Sequence, residues 1–397
     1  MCTGRRVLIS AVAVLSVTAS VAGTRLGAAD VKVPDPTKVV MIVNRDSNEI
    51  AFMDINSKKI VGKTFLGNNV NPHMVMMSPD GRYVVTGGTR ANKAYIIDAR
   101  TLELVKVIPV DIAPEHLAFS PDGRWYYQGN PDGDSISVID MVSLTKIKTI
   151  PGLVEPLNVT FSSDGAKAYV GNYGAHWVGV IDVRRHELLK KIQIDKVPGI
   201  AALDPAKYLG EIHGINIAAP SNDGRYLYAA DGTLGVVGVI DTREDKIVKV
   251  IRVGPDPWRI YMSHDGKYAI TPNNGDETIS IIDLQTNKVA ATLEGGPNMT
   301  GVNFAAGKAF VISSTSGFVY VYNMGTLKPA GRLKIGTNIQ LETATTDTAD
   351  QKLYLADSTE NAVVIIDAKT EAFEKVTNVG LFPWGTHIMD SKDNYCH

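Results

Sequence analysis

Eight histidines occur in this 397-residue chain, and four of them, His73, His116, His213 and His387, stand in or just before short apolar runs: PHMVMM, EHLAF, HGINIAA and PWGTHIM. Neutral imidazole is the commonest ligand for borderline metals, so histidines brought together from separate segments would hold copper, iron or zinc. Arg259 and Asn158, in WRIYM and LNVTF, have comparable surroundings. They would position an anion or a cofactor carboxylate through directed hydrogen bonds. Trp258, beside Arg259, and Trp384, near His387, would suit a cofactor wall or an interface equally well. Glu115, Glu211 and His213 are the groups that acid or base chemistry on a small organic substrate would need.

What positions these residues is a repeat. Residues 114–150, PEHLAFSPDGRWYYQGNPDGDSISVIDMVSLTKIKTI, contain four apolar runs of strand length separated by three turn signals. In SPDG, Pro pre-sets the first φ, Asp caps its own backbone and Gly takes the left-handed position. The pattern recurs. The third run of each repeat ends at Asp54, Asp98, Asp140, Asp182, Asp241, Asp283, Asn323 and Asp367, at intervals of 44, 42, 42, 59, 42, 40 and 44. In six of them Ser or Thr follows three residues later (Ser57, Thr101, Ser143, Thr286, Thr326 and Thr370). Four strands per period predict an all-β chain, an eight-bladed β-propeller rather than a seven-bladed one. Residues 38–65 supply only the second to fourth strands of a blade, and PWGTHIM at 383–389 supplies an orphan first strand, so the C-terminal strand is expected to join the N-terminal three and close the ring.

In such a ring, turns between first and second strands lie on one face, and the starts of the first strands lie on the other. Aligned on S-x-D-G, the first strands place His116, Asn158, Arg259 and His387 in one column, with Met74 and Gly214 at the equivalent places. His73, Glu115, Leu157, His213 and Trp258 stand directly before it. A functional site at that channel mouth is the sharp expectation. The bland one is that a histidine there is a polar plug bonded to a loop carbonyl. His264, in SHDG on the opposite face, and His186, beside Arg184 and Arg185, are expected to face solvent.

The chain opens with MCTGRRVLISAVAVLSVTASVAGTRLGAAD, basic and then apolar with small-residue cleavage options near Ala29. Residues 1–29 read as an export signal and 30–397 as one propeller domain, periplasmic or secreted, with no membrane span. Adjacent Arg5 and Arg6 leave both general and twin-arginine export open. A net charge of −2 gives no field for nucleic acid. If the signal is removed, Cys396 is the remaining cysteine, without an internal disulfide partner. Its neighbourhood, DNYCH, lacks the first cysteine of C-x-x-C-H, which argues against c-type haem. GxSxG, HExxH, P-loop and CxxC patterns are absent.

The blade pattern, P-x-x-[LVI]-x-[FM]-S-x-D-G-[RK]-x-x-Y followed by V-I-D-x-x-[ST], resembles the YVTN-type bacterial β-propeller repeat over about residues 38–393. It is also similar to the wider superfamily of haem d1 domains of cytochrome cd1 nitrite reductases. That resemblance implies a redox-associated propeller carrying a haem d1-like or copper cofactor, with His116 and His387 as leading ligands and His73 and His213 next. A scaffold subunit docking a protein partner or redox subunit is the alternative, and a lactonase or lyase is another, because propellers of this kind host many activities.

Overall fold

The computed structural model describes residues 31–200 and 213–393, which lie in one compact unit. The expected signal at 1–29, most of the insertion that the 59-residue interval implies in blade five (196–212), including Glu211, and Cys396 lie outside the described residues.

Among the described residues, thirty-two strands, β1 to β32 in chain order, form eight four-stranded antiparallel sheets, the eight blades. The blade that joins the chain ends runs β3 (Ile60–Phe65), β2 (Glu49–Asp54), β1 (Val39–Asn44), β32 (Pro383–His387). Closure is therefore the expected one, with Met41 opposite His387 and Ile42 opposite Thr386. The other innermost strands are β4 (Pro72–Met77), β8 (Leu117–Phe119), β12 (Pro156–Phe161), β16 (Ile215–Pro220), β20 (Tyr261–Met262), β24 (Met299–Ala305) and β28 (Leu341–Thr346). They surround the axis.

Each blade is apolar on both faces of its inner strands, because neighbouring blades cover both sides. Val40, Ile42, Ala51 and Met53 of the closing blade pack against Tyr354, Val363 and Ile365 of blade eight. On the other side Met41, Val43 and Phe52 pack against Val75, Val84 and Tyr95 of blade two. Burial of each such side chain contributes about 1.5–3 kcal/mol. Outer strands, such as Lys328–Lys334, are largely exposed.

The turn chemistry is as the repeat predicts. In the first hairpin of blade two, Asp80 Oδ1 accepts from Ser78 Oγ at 2.6 Å and from Arg82 N at 3.1 Å, while Gly81 sits at φ 69°. The turn between third and fourth strands uses Asp98 Oδ1, which accepts from Thr101 N at 2.8 Å. Left-handed residues in these outer turns also tie blade to blade. Tyr127 Oη meets His186 Nδ1 at 2.7 Å, Tyr169 Oη donates to Asp245 Oδ1 at 2.8 Å, and Tyr228 Oη donates to Asn287 Oδ1 at 2.7 Å. The three partners have φ of 53°, 50° and 52°.

Two expectations of exposure are therefore corrected. His186 is buried because it closes the gap between blades three and four, with Trp125 edge-on at 4.7 Å. His264 is mostly covered, because the segment after β32 brings Asp393 to its ring. Asp393 Oδ1 lies 2.6 Å from His264 Nε2, and Asp350 Oδ1 lies 3.2 Å from its Nδ1. Asp393 also accepts from Phe304 N and Thr346 Oγ1, so the strap is bonded to blades six, seven and eight.

Candidate functional site

Strand pairing fixes which residues share a level in the channel. Val75, Leu117, Val159, Ala218, Val302, Ala344 and Thr386 lie opposite Thr86, Gln128, Val170, Ala229, Val311, Leu355 and Ile42, the third-from-last residue of each second strand. Two residues earlier stand His73, Glu115, Leu157, Asn216, Thr300, Glu342 and Trp384, and Trp258 takes that place in blade six. One residue per blade thus forms a tier at the mouth. In every blade but three and six the register shifts at this point: between Pro72 and Val75, Pro156 and Val159, Ile215 and Ala218, Met299 and Gly301, Leu341 and Ala344, and Pro383 and Gly385. The tier residues there are bulge residues, whose side chains are released from the regular alternation.

The tier corrects the sequence alignment in two blades. Asn216, not His213, stands at the level of His73, because β16 begins only at Ile215. Trp384 stands there in the closing blade, and His387 lies three residues deeper, beyond Thr386.

Three ligand-bearing side chains converge. His73, Glu115 and His116 each offer an atom, and these atoms lie within 4.8 Å of one another, the one such group among the described residues. The imidazoles of His73 and His116 meet edge-on at 5.9 Å between centroids. Trp384 tilts against His73 at 5.4 Å, and the Arg45 guanidinium lies 4.3 Å from the Trp384 ring centroid. Arg45 is held by Asn71, whose Oδ1 accepts from Nη2 at 2.8 Å.

Burial sets the protonation. His73 is pushed down to about 3, chiefly by desolvation and further by Arg45 and Arg259. Glu115 is pushed up to about 7, by desolvation that the two arginines only partly offset. The 3.7 Å approach of His73 Nδ1 to Glu115 Oε2 is therefore a neutral imidazole facing a carboxyl group, not an ion pair. Glu342, across the mouth, is pushed up to about 7 by burial, against hydrogen bonds from Ser358 and Gln340. Its Oε1 accepts from Gln340 Nε2 at 2.6 Å and Ser358 Oγ at 3.0 Å. Burial lowers Arg45 as well, opposed by Glu115 and Glu342.

The remaining candidates are distributed around this centre. Arg259 is 6% exposed and donates from Nε to Asn216 Oδ1 at 3.2 Å, with its guanidinium 5.3 Å from the Trp258 ring centroid. The Trp258 Nε1 and Asn216 Nδ2 donors are buried without a hydrogen-bond partner. Asn158 lies lower, where it lines a cavity of about 430 Å³ with Met76, Leu117, Phe119 and Phe161 toward the hairpin face. His387 is buried and pushed down to about 3 by desolvation, outside the converging group. His213 stands at the rim, stacked on Tyr173 at 5.5 Å with Nδ1 3.1 Å from Asp256 Oδ1. His176 pairs with buried Asp231 at 2.9 Å.

Sequence reasoning missed Arg45, Asn216 and Glu342. Arg45 sits in a turn between second and third strands, to which the S-x-D-G alignment assigns no level. Glu342 was findable: Asp347 replaces the hairpin Ser, its N donating to Lys352 O as Ser78 N donates to Tyr83 O.

A family model described as the cytochrome D1 heme domain matches residues 17–116 and 203–373. The chain belongs to the cytochrome D1 heme domain family. A solved structure of dihydro-heme d1 dehydrogenase NirN in complex with DHE superimposes with a TM-score of 0.74 at 18% identity, over 90% of this chain and 76% of that one. Hydrazine synthase from Kuenenia stuttgartiensis gives 0.58 at 22% identity, over 76% and 97%. A functionally unknown protein from Desulfotomaculum acetoxidans gives 0.58 at 13%, over 88% and 98%. These likenesses establish the propeller. No curated protein sequence matches the chain significantly. No helix among the described residues is long and apolar enough to cross a membrane.

Proposed function

We propose that this member of the cytochrome D1 heme domain family is a periplasmic redox-associated propeller that holds an iron cofactor of the haem d1 class at its His-bearing mouth. The observation that carries this reading is His73 Nδ1, buried without a hydrogen-bond partner in a ring that is neutral at physiological pH. Such an atom has lost water and gained nothing, unless a ligand completes it.

The donor set fits the group. His73 or His116 would supply an imidazole to the iron, Arg45 and Arg259 would hold acidic substituents, and Trp384 and Trp258 would pack against the apolar body of the cofactor. His387 and His213 remain the outer candidates, and Asn158 a polar group beneath. When bound, the cofactor supplies one-electron redox chemistry. The chain's own contribution is to exclude water, fix the imidazole and place carboxyl groups near neutrality at Glu115 and Glu342, where they exchange protons readily. Export by residues 1–29 would place it in the periplasm, where a protein partner would deliver or remove electrons.

The test is reconstitution of the full chain with haem d1, followed by absorption spectroscopy. One equivalent with a shifted spectrum, lost in His73→Ala or His116→Ala, supports the reading. A spectrum equal to that of free haem d1 sinks it.

A further inference from the structure

We infer that the same mouth, when free of a macrocycle, is a mononuclear site for a bare divalent transition metal, with His73, His116 and Glu115 as a two-histidine, one-carboxylate ligand set. The inference rests on the proposed reading to the extent that it takes these imidazoles to be metal-facing.

The ligands come from two adjacent blades. His73 lies in the bulged start of β4, and Glu115 and His116 just ahead of β8. Backbone pairing fixes the second segment: Glu115 N donates to Gly129 O at 3.1 Å, and Gly129 N donates to His116 O at 2.7 Å. Consecutive residues on opposite sides of an extended chain would point apart. Here both reach His73, within 4.8 Å.

A macrocyclic iron has four in-plane nitrogens and two axial positions, so it accepts at most two of these three side chains. A bare ion accepts all three on one side and keeps its other positions open, the arrangement associated with non-haem iron(II). Ligand bonds of about 2.0–2.2 Å would require the three atoms to draw together. The side chains have the freedom to do so, since His73 Nδ1 has no competing hydrogen bond and Glu115 keeps 30% of its side chain exposed. Charge is the opposing factor. Arg45 and Arg259 both act on His73, whereas Glu115 and Glu342 offset them. The open positions should therefore favour an anionic co-ligand.

The experiment is titration of the macrocycle-free full chain with cobalt(II), followed by visible absorption and calorimetry. One equivalent should bind with ligand-field bands, and His73→Ala, His116→Ala and the near-isosteric Glu115→Gln should each weaken binding by more than about tenfold. Unchanged thermal unfolding of Glu115→Gln separates ligand loss from misfolding. Cobalt binding that is indifferent to Glu115→Gln overturns the inference. Absence of cobalt binding in a chain that still takes up haem d1 through His73 overturns it too, but leaves the proposed function standing. Failure of both titrations overturns both.

Discussion

His73 and Glu115 occupy the same level of adjacent blades, and the imidazole Nδ1 of the first faces the carboxylate Oε2 of the second at 3.7 Å. Burial disfavours the ion in each case: it keeps the imidazole neutral down to about 3 and holds the carboxyl group up to about 7.

Nuclear magnetic resonance of the histidine rings should therefore divide them. His73 and His387, both held near 3, should keep neutral-ring shifts from pH 8 down to about 4. His176, raised by its hydrogen bond to Asp231, should titrate above the usual value. The unfolded chain binds protons at His73 and His387 that the native chain does not. Stability should thus fall as pH drops from about 6.5 toward 3, with unfolding midpoints as the measure.

His264 has the opposite sign. Desolvation lowers its affinity for the proton, but the hydrogen bond and charge of Asp393, with Asp350, outweigh it and the net shift is upward. Its stabilising contribution is complete below about 6.5 and fades as pH rises through the raised value. His264→Ala leaves buried Asp393 without its cation, at a cost of about 3–5 kcal/mol. The gap in denaturant midpoint between this variant and the parent should be widest at pH 6 and narrow toward pH 9. A constant gap would count against the charged pair.

Tyr228→Phe removes the tie from blade five to the turn of blade six while keeping the ring. A loss of about 0.5–1.5 kcal/mol is expected, with cobalt or haem affinity unchanged. A larger loss in guanidinium unfolding would mean that the tie is cooperative with its repeats.

Gly129→Ala probes the seat of His116. An added Cβ would meet Pro156 O at 3.0 Å and His116 O at 3.3 Å, both backbone atoms with little room to yield. Overpacking of about 1–3 kcal/mol is expected, together with weaker ligand binding. Retained stability with unchanged binding would show that the segment is not held as tightly as its hydrogen bonds indicate.

Much of the fold was legible because one turn chemistry repeats. Ser-x-Asp-Gly and Asp-x-x-Thr are local devices, so period, blade number and closure follow from counting. The site was legible only in part. Hairpin spacing located His73, Glu115, His116, Trp258 and Arg259, whose strands keep the standard count from the turn. It misplaced the closing-blade residue, where no hairpin follows to set the count, and in blade five the insertion drew attention to His213 although Asn216 stands five residues before Ser221, as His73 does before Ser78. Arg45 reaches the mouth through tertiary placement of a turn, which no period encodes. His186 and His264 were misjudged because their partners, Tyr127 and Asp393, are 59 and 129 residues away.

The closing blade gives the mouth a schedule. Trp384, which lies against His73, belongs to β32, the last strand to be made, whereas Arg45 above it follows the first. Blades two to eight hold His73 without contributing the wall behind it. Ring closure and completion of the mouth are thus one event: the pairing of β32 with β1 is what brings Trp384 against His73.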